Sequence, residues 1–461
     1  MRRFATCIIV IGLAAGFPGV ALTAQEGAAD ATASEAGGAA PLTLPEAIRT
    51  GLLHHPALLA QRAEAGASGA DLEAALAARW PRLFTEASWH ATDNPVAVFG
   101  DKLTAARFTA ADFAMDSLNH PDAIDHAGAA LVLEAPLYTS GRIRAGIEAG
   151  REASLASLAR VRGAESDLVA RIIEAYYGVS LAAATVEVAE SAVTSAAGHE
   201  RMARTRFENG AALKSDFLRA QVQGLARQRE LERKRADLDL ARARLRLLLG
   251  LPDAGLPVLA DSGMTPPTDP LGDFRVWADA AARARPEIEA ARRSSLAAAA
   301  EGRATGAARG PEIAGTARYE RNASGLGAGE GSFFAGVGIR WAAFDRGRAA
   351  RIEASRQRAA AAAAMSRATE DAVGLEVEQA YRDAEVAGRS LAPARQAIAA
   401  AEEARRISAD RYASGLLPLT DLLDAETGLV EARLAELAAR HDTVVGRVRL
   451  QRAAGRLEVP R

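Results

Sequence analysis

The sequence predicts a mostly α protein with a small β part, built from two copies of a long helical hairpin joined to paired short strands. Three observations predict it. Landmark residues recur in order at a near-constant spacing, which marks an internal duplication. Stretches of roughly 67 residues keep a helical apolar period, enough for rods on the order of 100 Å at about 1.5 Å per residue. Short segments before each rod alternate apolar and polar residues with period two.

The N-terminus reads as a signal peptide over residues 1–24. Arg2 and Arg3 precede an apolar stretch from Ala5 to Ala21, and small residues at Ala21 and Ala24 offer cleavage sites. A retained anchor is the alternative, disfavoured by the interruptions at Gly12, Gly16 and Pro18. The sole cysteine, Cys7, lies inside this segment, so the mature chain is expected to hold no disulfide and no thiolate metal site. Residues 25–41 are Ala/Gly/Glu-rich without an apolar period, the composition of a flexible leader. Order is expected from Leu42, with Thr43 capping a helix and Pro45 in its first turn. Beyond the signal, no run of eighteen uncharged apolar residues occurs, so no transmembrane helix is expected. Membrane entry would then require a closed β-barrel. A formal net charge of -2 gives nucleic acid no support as a partner.

The duplication defines the organisation. His55-Pro56, Pro81 and Trp89 match Arg285-Pro286, Pro311 and Tyr319 at an offset of about 230. Gly141-Arg142, Ala175-Tyr176, Arg206-Phe207, Gly210, Asp216 and Gly250 match Gly347-Arg348, Ala380-Tyr381, Arg411-Tyr412, Gly415, Asp421 and Gly455 at an offset near 205. The shorter offset means that the first copy carries roughly 24 extra residues, within Ala91 to Ala123, where Asn94-Pro95, Gly100, Asn119 and Pro121 signal an elaborated loop. The first repeat spans 42–250, with strands at about 82–90 and 127–138 and a hairpin tip near 210. A connector at 251–275 leads to the second repeat, 276–455, with strands at about 312–322 and 332–344 and a tip near 415. Residues 456–461 form a tail. The rods are read as uninterrupted from Gly141 to Phe207 and from Gly347 to Tyr412, and Pro45 to Arg79 and Val276 to Arg309 as single helices.

The strands carry the membrane signal. Ile313, Gly315, Ala317 and Tyr319 oppose Glu312, Thr316, Arg318 and Glu320; Phe333, Val337, Ile339 and Trp341 oppose Ser332, Gly336, Gly338 and Arg340. Such alternation fits apolar-out strands of a water-filled barrel, and it also fits a two-sided soluble sheet. Rods of this length favour the first reading. Four strands cannot close a barrel alone, so the chain would need copies of itself arranged by rotation.

The opening LTLPEAI, the strand ends LYTSGR and AFDRGR, and the paired tips RTRFENGAALKSDFLRA and ADRYASGLLPLTDLLDA together resemble the outer-membrane efflux protein family, the TolC-like ducts of tripartite pumps and type I secretion. The resemblance covers Leu42 to Gly455. It implies a homotrimer with a twelve-stranded outer-membrane β-barrel and a periplasmic α-barrel tunnel. It also implies a periplasmic adaptor and an inner-membrane transporter as partners, outer-membrane lipid around the strands, and no cofactor. The chain is then a passive channel and not an enzyme.

The tips are the candidate site. Gly210 and Gly415 can adopt positive φ and permit a sharp reversal, and would form the adaptor-docking turns. Gly141 and Gly347 mark the strand-to-helix turns. Asp421 and Asp424, spaced i, i+3, fall where the family places its acidic entrance ring; the alternative is a solvated pair favoured by a helix N-terminus. Asp216 and Tyr412 match two latch positions of the family, Leu417 stands where a basic latch residue is usual, and Arg411 and Lys214 are candidate replacements.

No enzyme signature stands out. The seven histidines show no metal-ligand spacing, and Gly325 to Gly331 joins two strands and so makes a poor phosphate cradle. The different-class alternative is a periplasmic coiled-coil adaptor or scaffold, which two equal hairpins with paired strands argue against.

Overall fold

A computed structural model describes residues 41–252, 255, 257–260, 264–324 and 329–459. The expected signal, most of the leader and parts of the connector and second strand-joining loop lie outside the described residues. The described chain holds ten α-helices and four strands. These are α1 (Leu44–His54), α2 (Pro56–Ala77), β1 (Arg82–Thr92), α3 (Pro95–Thr104), α4 (Met115–Asn119), β2 (Ile124–Tyr138), α5 (Arg142–Glu208), α6 (Lys214–Leu249), α7 (Phe274–Ala284), α8 (Pro286–Gly306), β3 (Glu312–Ala323), β4 (Glu330–Arg340), α9 (Arg346–Ala413) and α10 (Leu419–Ala453).

Thr43 caps α1 through a reciprocal box with Glu46, as its sequence predicts. The expectation of one helix from Pro45 to Arg79 is corrected: the helix breaks between His54 and Pro56. The same correction applies to Val276 to Arg309, which breaks before Pro286. The residue before proline is pushed out of the α region, and both His55 (ψ 117) and Arg285 (ψ 118) are extended. The duplicated X-Pro pair is thus a duplicated helix joint. The second rod is uninterrupted as read, even though Pro393 lies inside α9, which continues through it for 68 residues. The proline removes one backbone donor, a loss that a helix of this length, packed along α8 and α10, withstands.

The helices form two hairpins, α5/α6 and α9/α10, with α2 packed on α5 and α8 packed against both α5 and α9. The repeat shows in detail. The Tyr176 hydroxyl donates to Leu42 O and the Tyr381 hydroxyl to Gly272 O, each at 2.9 Å. Gly250 and Gly455 end α6 and α10 at φ +72 and +66. Core clusters gather around Tyr176 and Leu245 and around Trp277 and Val377. One 18-residue window of α5 is long and apolar enough to cross a membrane by composition alone, with mean hydropathy 1.3. It belongs to a 67-residue helix that packs along α6 and α8.

The strands form one antiparallel sheet in the order β1-β2-β3-β4. The register puts Leu83, Leu133, Ala317 and Ala335 in one row and Leu131, Tyr319 and Phe333 in another, all on one face. The opposite face carries Glu86, Ser88, His90, His126, Arg318, Glu320, Asn322 and Ser332. The apolar face is exposed: Trp89, Phe333, Val337, Ile339 and Trp341 are each more than 60% accessible. On β2, His126, Ala130 and Val132 are buried, whereas Leu131 and Leu133 are exposed. Arg318 bridges Glu86 and Glu320 across the polar face.

Candidate functional site

The two hairpin tips build the site. α5 ends at Glu208, and Gly210 at φ +72 turns the chain into α6. α9 ends at Ala413, and Gly415 at φ +75 turns it into α10. Each glycine N–H closes its turn, Gly210 onto Phe207 O and Gly415 onto Tyr412 O. A Cβ at either glycine would meet nothing, so the requirement is the backbone angle and not space.

At the second tip, Leu419, Leu422, Leu423 and Tyr412 pack with Ala203 and Ala220 of the first hairpin. That burial turns Asp421 and Asp424 outward, and both are exposed. Asp421 lies in the first turn of α10, where the helix dipole favours a carboxylate, and accepts from Thr420 Oγ1 at 3.2 Å. Asp424 lines an open groove with Ser215, Leu218, Arg219 and Val222 of α6. Among the described residues, no ion pair within the chain engages Asp421, Asp424, Asp216, Lys214 or Arg411. Asp216 is half-buried in the first turn of α6, and Lys214 and Arg411 are exposed.

Tyr412 is placed differently. It is 4% exposed, and its hydroxyl is buried without a partner. Arg206 of the first hairpin lies 4.4 Å above its ring and donates to Ala413 O at 2.7 Å. Sequence reasoning missed this tie between hairpins, although Arg206 sits in the repeat match with Arg411. It also missed a buried cluster two turns above the tip. Glu426 of α10 lies 2.9 Å from His199 Nε2 of α5 and accepts from Arg405 Nε of α9 at 2.7 Å. Burial pushes the Glu426 carboxyl up, but the bonds from His199 and Arg405 outweigh it and hold it below the usual carboxylate range. No sequence signal pairs residues so far apart in the chain.

At the strand-to-helix turns, the expected equivalence of Gly141 and Gly347 fails in detail. Gly141 precedes α5 in the left-handed region at φ 87. Gly347 sits within the first turn of α9, where Asp345 caps the helix and accepts from Gly347 N at 2.9 Å. Among the described residues, no group of three or more His, Cys, Asp or Glu side chains could hold a metal ion.

The sequence matches the profile of the outer membrane efflux protein family over residues 47–251 and again over 277–456. No curated protein matches. Among solved structures, a membrane protein from Pseudomonas aeruginosa is similar at TM-score 0.78 and 22% identity, covering 89% of this chain and 93% of that one. The Vibrio cholerae outer membrane protein VceC gives 0.74 and 20%, covering 89% and 96%. The Campylobacter jejuni CmeC outer membrane channel gives 0.76 and 15%, covering 91% and 87%. With both repeats matched in the order of the duplication, the chain belongs to the outer membrane efflux protein family, with its sheet in the bacterial outer membrane and its helical tunnel in the periplasm.

Proposed function

We propose that the chain is one protomer of a passive homotrimeric efflux channel, docked at its tips on a periplasmic adaptor that couples it to an inner-membrane transporter. The observation that carries this reading is the two-faced sheet, with an exposed row of large apolar side chains on one face and the Glu86, Arg318 and Glu320 network on the other. Only lipid on the apolar side and water on the polar side satisfy such a sheet. An eleven-residue strand such as β4 is about 36 Å long at about 3.3 Å per residue, and a tilt of about 40° projects it to about 28 Å. That suits an apolar band of about 25 Å.

Two features call for rotational copies. β1 and β4 are open edges, and pairing them between three protomers closes a twelve-stranded barrel. α8 wedges between α5 and α9, whereas its repeat partner α2, among the described residues, packs on α5 alone of the long helices. The α9 of a second copy would complete that quasi-equivalent packing. In such a ring, Asp421 and Asp424 bring six carboxylates toward one axis, where they select cations and make closure sensitive to divalent ions. Asp216, Lys214 and Arg411, without an ion pair among the described residues, are groups free to latch neighbouring tips. Tyr412 contributes by holding its own tip together. Residues 1–24 act as the export signal.

Fractionation tests the reading. A heat-modifiable trimer in outer membranes is expected, and a soluble periplasmic monomer would defeat it.

A further inference from the structure

We propose that the insert between β1 and β2 folds into the barrel mouth and sets the size limit at its outer end, with Asp101 as the positioning residue that pins it there. The proposal rests on the channel reading above. Sidedness carries it. Residues 93–123 leave the strand ends farthest from α5, because β2 runs from Ile124 at that end to Tyr138 beside the helix. Asp101 ties them to the polar face. Asp101 of α3 lies 2.8 Å from His90 Nε2 and 3.7 Å from His126 Nδ1. His90 and His126 are register partners on the polar face, with ring centroids 5.2 Å apart. Buried His126 is in turn 3.2 Å from Asn322 Oδ1, so the pin engages three strands. Val98, one turn before Asp101, is 3% exposed.

The insert is itself a folded body. Asn94 caps α3, accepting from Val96 N and Ala97 N. Lys102 pairs with Asp112 at 2.7 Å, and Thr109 and Asp112 form a reciprocal cap. Phe108 packs edge-on against Phe99 and Phe113 at 4.6 and 5.1 Å. A rigid body pinned to the polar face stands on the lumen side once the apolar face meets lipid. Rotational copies bring one insert per protomer toward the axis. Val96, Phe113 and Met115 stay exposed on it, so large apolar side chains would line the constriction and limit the bulk of what passes.

The test uses the trimer in a planar bilayer. Val96→Cys in a Cys7→Ser background is treated with a charged, membrane-impermeant methanethiosulfonate. A fall in single-channel current, reversed by reductant, is expected. Full labelling without a change in current would place the insert outside the lumen and overturn the proposal. Asp101→Ala is expected to raise conductance and to speed amide exchange over residues 95–104 about tenfold, the loss of about one charge-assisted hydrogen bond. Unchanged exchange would refute the pin. A wild-type trimer that carries no current defeats the channel reading and this proposal with it, whereas a conducting channel indifferent to the label defeats this proposal alone.

Discussion

Adjacent residues of β4 offer a sharp contrast. Val337 lies on the apolar face, 67% exposed, opposite Gly315 of β3. Gly338 lies on the polar face, and a Cβ built there meets nothing within 4 Å. Arginine at a lipid-facing midplane position costs about 2–4 kcal/mol and little near the interfaces. Val337 stands two residues from the strand centre, about 5 Å from the midplane after tilt. Val337→Arg should therefore destabilise each protomer by about 2 kcal/mol, roughly a thirtyfold loss in its folding equilibrium. Gly338→Arg places the same charge one residue away in water, and it also relieves the strand of glycine's entropic cost. Its effect should stay within about 0.5 kcal/mol. Urea unfolding of the reconstituted protein, read by the heat-dependent gel shift, measures both. Equal destabilisation by the two variants, or a neutral Val337→Arg, would refute the assignment of faces.

Two further predictions concern the tips. Valine at both Gly210 and Gly415 forces a β-branched residue to φ +72 and +75, at about 1–3 kcal/mol each. The strain is local, so outer-membrane trimer should persist while export fails, and a fully active valine pair would remove the tips from the docking role. Glu426 tests the tie between hairpins. Its folded pKa is depressed, so its contribution is complete above the unfolded glutamate value near about 4.3 and is lost as pH falls through the folded value. Glu426→Gln should loosen the tip by about 1–3 kcal/mol at neutral pH and flatten the acid dependence. Amide exchange of α5 and α10 around His199 and Glu426 reports both, and an unchanged acid profile would contradict the assignment.

The duplication was legible because glycine and X-Pro positions impose backbone geometry that survives divergence. Gly210, Gly415, Gly250 and Gly455 all hold positive φ, and both X-Pro pairs mark a joint. The apolar period nevertheless runs through the joints as if the helix were continuous, and only the proline's effect on its predecessor breaks them. Gly347 misled for the reverse reason: a glycine two residues beyond an aspartate cap needs no special angle. The strand faces were readable from period two, but their alignment into one continuous apolar face required the register. Asp421 and Asp424 could be placed on one helical face from their spacing. The Arg206–Tyr412 and His199–Glu426 contacts could not, because they join residues about 200 positions apart.

Reversal potential across a planar bilayer under a salt gradient tests the central claim most directly. The account predicts that the wild-type trimer conducts, prefers cations and is blocked by divalent ions from the tip side. Asp421→Ala with Asp424→Ala should abolish the divalent block and shift the potential toward zero selectivity, with the trimer intact. Unchanged selectivity and block in the double variant would contradict an acidic entrance at the tips.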